Sequence, residues 1–505
     1  MANANEKIII QEMNESSPMG AGASSDVAYV PGITCGNEKN ANRPILCNTV
    51  DELINYFGRA YDGADEVIAK VPKEFIYGQH KVLKDLPDPS YIYAKELLNA
   101  GMSVYYEAIV KTADTNNEII DEITEVEALI TSVEAARAEA NTKLQEENAG
   151  AKDPAIINAL TKEIASLDDQ LEVYEAKKES LEARKSLDGV AYLYECLADR
   201  YDVITDKSEY TIKYITSGGY PTFTNYTKTS EGIINPISTA QLAAAAKRGD
   251  AVALIDHGDN GTKPLGATNS NSIYRAVNES NWTDGSFGAM FTPWATYVCP
   301  LEGKVELPAS FGYLMCMAKA IKTSPNWLAM AGITRGQVPY VQALSTKQIL
   351  TNVIAEDYQP RYGATNHNIS VNAITNIKPY GLTIWGNRTM EKLSDKGTTA
   401  LALLNARNMV SDVKKVAYST AKELMFEQDG DVLWNKFKSG VAPLLDQMKA
   451  GYGISNYAII RNKTKFNGKQ LDRGEVSATI RIYPIAAVEY FEITVAVADE
   501  DVSVS

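Results

Sequence analysis

The sequence predicts a mixed α/β, α+β-type multidomain chain with strands at both termini that pair outside their own subunit, and with an inserted antiparallel coiled-coil hairpin. Three observations predict this. Strand-like stretches stand near both ends, at Lys7–Gln11 and between Gly474 and Asp499. Two long heptad series occupy 114–188. After the hairpin, short apolar strands alternate with amphipathic helices, the chain order of an α/β fold.

In Gly474–Asp499, Val476, Ala478, Ile480 and Ile482 alternate with Ser477, Thr479, Arg481 and Tyr483, a period of two. Pro484 ends that strand, since it has no N–H for a ladder. A second strand, Val488–Val497, carries Tyr490, Phe491, Ile493 and Val495 among polar residues. So good a strand near a terminus needs partners on its edges. At the other end, Ile8, Ile9 and Ile10 stand between Lys7 and Gln11, so apolar groups point to both faces. The following Asn14–Asp26 is a Gly/Ser/Pro tether with little packing capacity. A sticky strand on a loose tether suits donation to another subunit's sheet.

Composition bounds the rest. A chain of 505 residues, 45% hydrophobic and 22% charged, has room for two to four domains. Its net charge of −15 disfavours direct nucleic-acid binding, which needs a basic footprint. No apolar run approaches the roughly 18 residues of a membrane span, so no membrane insertion is expected. The start MANANEKIII lacks the basic region and long apolar core of a signal peptide. Five cysteines (Cys35, Cys47, Cys196, Cys299 and Cys316) include no CxxC pair and read as free buried thiols in a reducing compartment.

Along the chain, Val27–Val30 and Ile45–Cys47 read as strands. Thr49 caps a short helix with Glu52 three residues on, and Gly58 ends it. Tyr91–Ala100 is a helix and Met102–Val110 a strand. In 114–188, Ile119, Ile123, Val126, Ile130 and Val133 start one series. Ile157, Leu160, Ile164, Leu167, Leu171 and Tyr174 start another, after Asp153 as N-cap and Pro154 at the first helical position. Each helix would reach about 50 Å at 1.5 Å per residue. The faces away from the seam are dense in Glu, Lys and Asp, so the hairpin is expected to protrude. Leu187–Asp199 is helical and Ser208–Ile215 a strand. Ser238 or Thr239 caps Ala240–Arg248, and Ala251–Asp256 is a buried strand. Gly288–Val298 is a strand broken at Pro293-Trp294, and Phe311–Lys322 a helix. Gln348–Asp357 and Ile369–Ile384 are mixed. Thr398–Met425 and Asp431–Ala450 are amphipathic helices before the final sheet.

Several stretches together resemble the contractile tail sheath family of phages and related injection machines. Tyr29-Val30-Pro31-Gly32-Ile33, Asn42-Arg43-Pro44-Ile45-Leu46 and Phe57-Gly58 resemble its opening strand, loop and short helix. Ala289–Trp294, with Pro293 and Trp294, resembles its Pro-Trp strand. Leu307–Ser310 with Asn326–Ala329 is similar to a central segment. Ile384–Met390, containing Trp385, Gly386, Arg388 and Thr389, is similar to its Trp-Gly-Ala-Arg-Thr-Leu signature. Gly451-Tyr452, Arg473–Glu475 and Ile480–Ile493 resemble its closing strands. Asn387 replaces the usual Ala, Phe426–Asp429 departs from Phe-Glu-Pro-Asn, and 114–188 has no counterpart. The resemblance covers roughly 1–60 and 200–505.

The resemblance implies a virion structural protein, assembled in the bacterial host cytoplasm, with no enzymatic activity, cofactor or metal. Six subunits would ring a tail tube, and rings would stack helically between baseplate and neck or terminator proteins. Contraction would then drive the tube through the host envelope for genome ejection. Lys7, Ile8, Ile9, Ile10 and Gln11, with Val488, Tyr490, Phe491, Ile493, Val495 and Val497, would be the exchanged arms. About six ladder hydrogen bonds at roughly 1 kcal/mol net each, with Ile8–Ile10 buried at about 1.5–3 kcal/mol apiece, exceed the ordering entropy modestly. Such heterologous association builds open helical assemblies. The expected division is 1–26 arm and linker, 27–113 and 189–345 outer α/β domain, 114–188 hairpin, and 346–505 C-terminal core. Arg388 is expected to make a bidentate pair fixing that core.

Two other readings compete. An α/β enzyme would use Asp256-His257-Gly258-Asp259 after a strand, yet only His80, His257 and His367 exist, and no nucleophile elbow, HExxH or phosphate loop occurs. Asp256, Asp259 and Asn260 fit a calcium loop poorly, because Gly258 takes a ligand position. A surface-layer or capsid-type subunit also explains exchanged strands, but not the Trp385-Gly386 and Pro293-Trp294 matches together.

Overall fold

The computed structural model describes residues 26–58, 88–150, 153–187, 189–220, 227–229, 232–234, 236–256, 282–321, 325, 327–344, 370–392, 399–464, 469–471 and 474–486. The expected arms at 7–11 and 488–497 and the mixed stretch 348–357 lie outside these residues.

An eight-stranded sheet organises the chain. Its strands are β1 (Val27–Gly32), β2 (Ile45–Cys47), β3 (Ser103–Ala108), β4 (Tyr214–Ile215), β7 (Val252–Asp256), β8 (Gly288–Thr292), β12 (Asn372–Ile377) and β13 (Gly381–Trp385). The intervening β5 (Thr227–Thr229) and β6 (Gly232–Ile234) form a separate ribbon. The spatial order is β13-β12-β8-β7-β4-β1-β3-β2, and only the edge strands β13 and β2 run antiparallel to their neighbours. Residues 372–385, placed by sequence with the C-terminal core, supply the last two strands of this sheet.

Buried parallel strands should be apolar on both faces, and residue parity here divides two cores. Val27 and Tyr29 of β1, Tyr105 of β3, Ile255 of β7 and Met290 of β8 face one core. Ala28, Val30, Tyr106, Leu254 and Phe291 face the other. Helices α5 (Gly189–Val203) and α6 (Pro236–Arg248) cover the first face. Helices α1 (Val50–Phe57), α2 (Pro89–Ala100) and α7 (Ala309–Ile321) cover the second. Thr49 caps α1, with Glu52 N–H donating to Thr49 Oγ1 at 3.2 Å, while the Glu52 carboxylate reaches one residue past the N-cap of a strict capping box and accepts from Asn48 N–H at 2.7 Å. After β8, the Pro293-Trp294 corner leads into a second sheet of β9 (Ala295–Cys299), β10 (Gly303–Leu307) and β11 (Val341–Leu344).

Two expectations are corrected. The strand expected at Ser208–Ile215 shortens to β4. Asp206 closes a turn by accepting from Ser208 N–H at 2.7 Å, and Arg248 takes the Tyr210 carbonyl at 2.8 Å, so the backbone of 206–210 is committed elsewhere. The helix expected at Ala240 begins at Pro236, whose fixed φ and missing N–H suit a first helical position.

The heptad segment forms α3 (Ala113–Ala149) and α4 (Pro154–Ser186). They lie side by side and antiparallel, bridged by Glu127–Lys178 at 2.8 Å and Arg137–Asp168 at 2.6 Å. Asp153 caps α4 by accepting from Ala155 N–H at 2.8 Å. Among the described residues the root joins the body, where Ile119, Val126 and Leu181 enter the first core. Farther out, Val173 is 65% exposed and Leu129 45%.

A third core belongs to α8 (Leu404–Glu423), α9 (Asp431–Ala450), β14 (Ile454–Asn462) and β15 (Ser477–Pro484). Met409, Val413, Val441, Leu445 and Met448 pack between the helices and under Ile459, Ile480 and Ile482 of the strands.

Candidate assembly site

Strands β14 and β15 form an antiparallel ribbon, with Tyr457 opposite Ile482 and Ile459 opposite Ile480. Those four side chains share one face and lie on α9, which accounts for the alternation read in β15. The opposite face keeps Ile460 39% and Tyr483 41% exposed. Among the described residues no third strand pairs with either edge. An isolated two-stranded ribbon is marginal, and open edges are templates for further strands. Arg461 fixes the ribbon to the start of α9 through Asp429 at 2.6 Å. Sequence reading missed β14, although Ile454, Tyr457 and Ile459 carry an apolar pattern there.

The expected signature residues fall at junctions. Pro31 and Gly32 end β1, where a Cβ on Gly32 would lie 2.3 Å from Tyr106 Oη. Pro293, after a cis peptide bond, and Trp294, 2% exposed, form the corner between the two larger sheets. Trp385 and Gly386 lead from β13 into a strap that ties the large sheet to α8. Within the strap, Asn372 clasps the Arg388 main chain, and Thr389 N–H and Oγ1 donate to the carbonyls of Ala402 (2.9 Å) and Leu401 (2.8 Å). Met390 N–H donates to Gly288 O at 2.8 Å. Asn387 is put to use: its Nδ2 donates to Asn405 Oδ1 at 2.7 Å, and Asn405 donates to Trp327 O at 3.3 Å.

The interface between α8 and the sheet is unusually polar. Asn405, Arg407, Asn408, Ser411 and Asp412 are all buried. Arg407 Nε donates to Ser286 O at 2.8 Å, with its guanidinium 3.9 Å above the Phe287 ring centroid. Asn408 donates to Tyr313 Oη at 2.9 Å, and Lys414 to Gly249 O at 2.9 Å.

A doubly wound sheet ordinarily takes a ligand where the strand order reverses, at the carboxyl ends of the strands. Here the reversal lies between β1 and β4 and is filled by the protein itself. Asp88, the N-cap of α2, accepts from Ile33 N–H (2.8 Å), Thr34 N–H (2.9 Å), Ser90 N–H (3.0 Å), Tyr106 Oη (2.7 Å) and Tyr220 Oη (2.7 Å). Burial and the adjacent Asp88 carboxylate push both phenols well above the ordinary tyrosine range. Gly218, at φ +62°, lets the turn press on this plug; a Cβ there would sit 2.3 Å from Pro31 O. Asp256, the enzyme candidate, is likewise enclosed. It accepts from Ser310 N–H at 3.1 Å and Ser310 Oγ at 2.5 Å, at the start of α7. Desolvation raises its pKa to about 7. His257, Gly258, Asp259 and Asn260 lie outside the described residues. Among the described residues no His/Cys/Asp/Glu group is placed to hold a metal, and no helix is long and apolar enough to cross a membrane.

No family model matches the chain. Its sequence is 22% identical over 180 residues to the tail sheath protein of Vibrio phage KVP40, and 24% identical over 175 residues to that of Enterobacteria phage T4. Over these stretches the chain is similar to two phage tail sheath proteins. The matched stretches are 36% and 34% of this chain and span about a quarter of the sheath relatives' own length, 25% and 24%. These relatives are structural sheath proteins rather than enzymes. A chain from the baseplate of the anti-feeding prophage, solved by cryo-electron microscopy with six-fold symmetry, is similar in fold to this chain. Its TM-score is 0.50 and its identity 13%, over 97% of this chain and 98% of that one.

Proposed function

We propose that this chain is the structural subunit of a contractile tail sheath, polymerising as stacked hexameric rings around a tail tube and shortening to drive the tube through a host envelope. The observation that carries the reading is the kinship with phage tail sheath proteins. The open β14–β15 ribbon supports its mechanism. On this reading the free edges receive strands from neighbours: Lys7–Gln11 as the N-terminal arm and Val488–Val497 as the C-terminal one. Residues 14–26 are the tether, and Arg388 steadies the C-terminal unit. The α3–α4 pair is a coiled-coil hairpin projecting from the 27–113 and 189–345 domain. The partners are further copies, the tail tube, and baseplate and neck proteins, and the mature location is the virion. Contraction needs no nucleotide if two packings differ by a few kcal/mol and assembly traps the extended one.

Negative-stain electron microscopy of the untagged protein across concentration tests the reading. Striated hollow tubes or stacked six-fold rings are expected. Dispersed particles at every concentration, even after adding the matching tail tube, would overturn it.

A further inference from the structure

Lys213 lies where three parts of the chain meet. Its side chain is fully buried, and its Nζ pairs with Asp26 Oδ1 at 2.5 Å and Asp412 Oδ2 at 2.9 Å, both carboxylates also buried. Its main chain is committed too, donating to Val27 O at 2.9 Å and accepting from Val252 N–H at 2.8 Å. Asp26 directly precedes β1 and follows the segment 1–25. Asp412 belongs to α8, which together with α9 carries the open ribbon.

We propose that Lys213 is a coupling residue: it joins the root of the N-terminal segment to the C-terminal unit, so that tension on residues 1–25 reaches α8 without peeling β1 from the sheet. The inference rests on the sheath reading, in which those residues are an arm under load. A buried ion triad suits the task. Its strength depends on close geometry in a site shielded from water. Apolar packing, being non-directional, would allow sliding. Two further anchors of α8, from Arg407 to Ser286 and from Lys414 to Gly249, hold the same helix beside the same sheet, yet neither touches the entry of β1.

The test is single-molecule pulling on the full chain with handles at Ala2 and Asn435, so that force enters through the N-terminus and leaves through α9. A control pair at Lys39 and Lys304 loads the sheet without crossing Asp26 or α8. Because Lys213→Met alone takes the shared ammonium from two buried carboxylates, the main variant is Asp26→Asn/Lys213→Met/Asp412→Asn. Asp412→Asn, which keeps the Lys213–Asp26 pair, is the second. Loss of the highest-force rupture on the first axis in both variants, with the control axis unchanged, is expected. An unchanged rupture on the first axis in either variant overturns the coupling. Tube formation by the wild-type chain is scored separately, so failure of the sheath reading and failure of the coupling are told apart.

Discussion

The side chain of Asn372 holds the backbone of Arg388 at two points: Nδ2 donates to the Arg388 carbonyl at 2.8 Å, and Oδ1 accepts from the Arg388 N–H at 2.9 Å. One amide thus does the work of a neighbouring strand, continuing the ladder of β12 where β13 has ended. Nδ2 also donates to Met290 O at 3.1 Å, so the clasp reaches β8. Replacing Asn372 by Ala leaves buried main-chain groups unpaired and should cost about 2–4 kcal/mol, measured by urea unfolding. A loss below about 0.5 kcal/mol would show that the strap is held by other means.

Removing residues 1–13 should leave the melting temperature of the isolated subunit nearly unchanged and abolish tubes. Analytical ultracentrifugation and electron microscopy read the two results. A truncated protein that polymerises like the full chain would refute strand donation from the N-terminus.

Asp88→Ala removes the acceptor of five hydrogen bonds and leaves several buried donors without it. A loss of roughly 3–5 kcal/mol is expected, seen as a large drop in the urea midpoint. A mild loss accompanied by new nucleotide or phosphate binding in calorimetry would show that the crevice had only been masked.

Asp256 sets a pH dependence. Its folded pKa, about 7, stands above the ordinary aspartate value near 4. The folded state therefore holds the proton more tightly than the unfolded chain does. The stability this contributes is fully present below about pH 4 and is lost as pH rises through about 7. Asp256→Asn, neutral throughout, should gain on the wild type between pH 5 and pH 8. Parallel urea curves at the two pH values check this, and a constant difference would contradict it.

Shortening the hairpin to remove 134–170 leaves its root, with Ile119, Val126 and Leu181, in the body. The truncated subunit should fold with unchanged stability. If its tubes form normally, the outer hairpin does not brace neighbouring subunits; if only rings form, it does.

Local features were legible in the sequence because local chemistry decides them. Thr49 with Glu52, and Asp153 with Pro154, mark helix starts that the fold honours. The Asp88-Pro89 pair carries the same signal ahead of α2, two residues before the expected start at Tyr91, and Pro236 heads α6 ahead of the expected Ala240. Sheet order was not legible, since nothing local tells β12 that it will lie beside β8 across an intervening sheet. The polar interface was hidden for a similar reason. Asn405, Arg407, Asn408 and Asp412 look like the wet side of an amphipathic helix, and become interior only because Lys213, Ser286 and Tyr313 arrive from distant parts of the chain. Of the candidate site, β15 was legible in its alternation and β14 was not, because Tyr457-Ala458-Ile459-Ile460 is an unbroken apolar run with no period of two.

Residues 114–188 hold 19 Asp or Glu against 8 Lys or Arg, or −11 of the chain's −15. The body that bears the open ribbon is left with −4, close to the neutrality at which colloids flocculate. The hairpin is then a charged bristle on an almost uncharged particle. Any polymer that leaves its outer half in water wears a polyelectrolyte brush, repelling similar polymers over a Debye length of about 8 Å at physiological salt. Raising the salt should let such polymers bundle side by side.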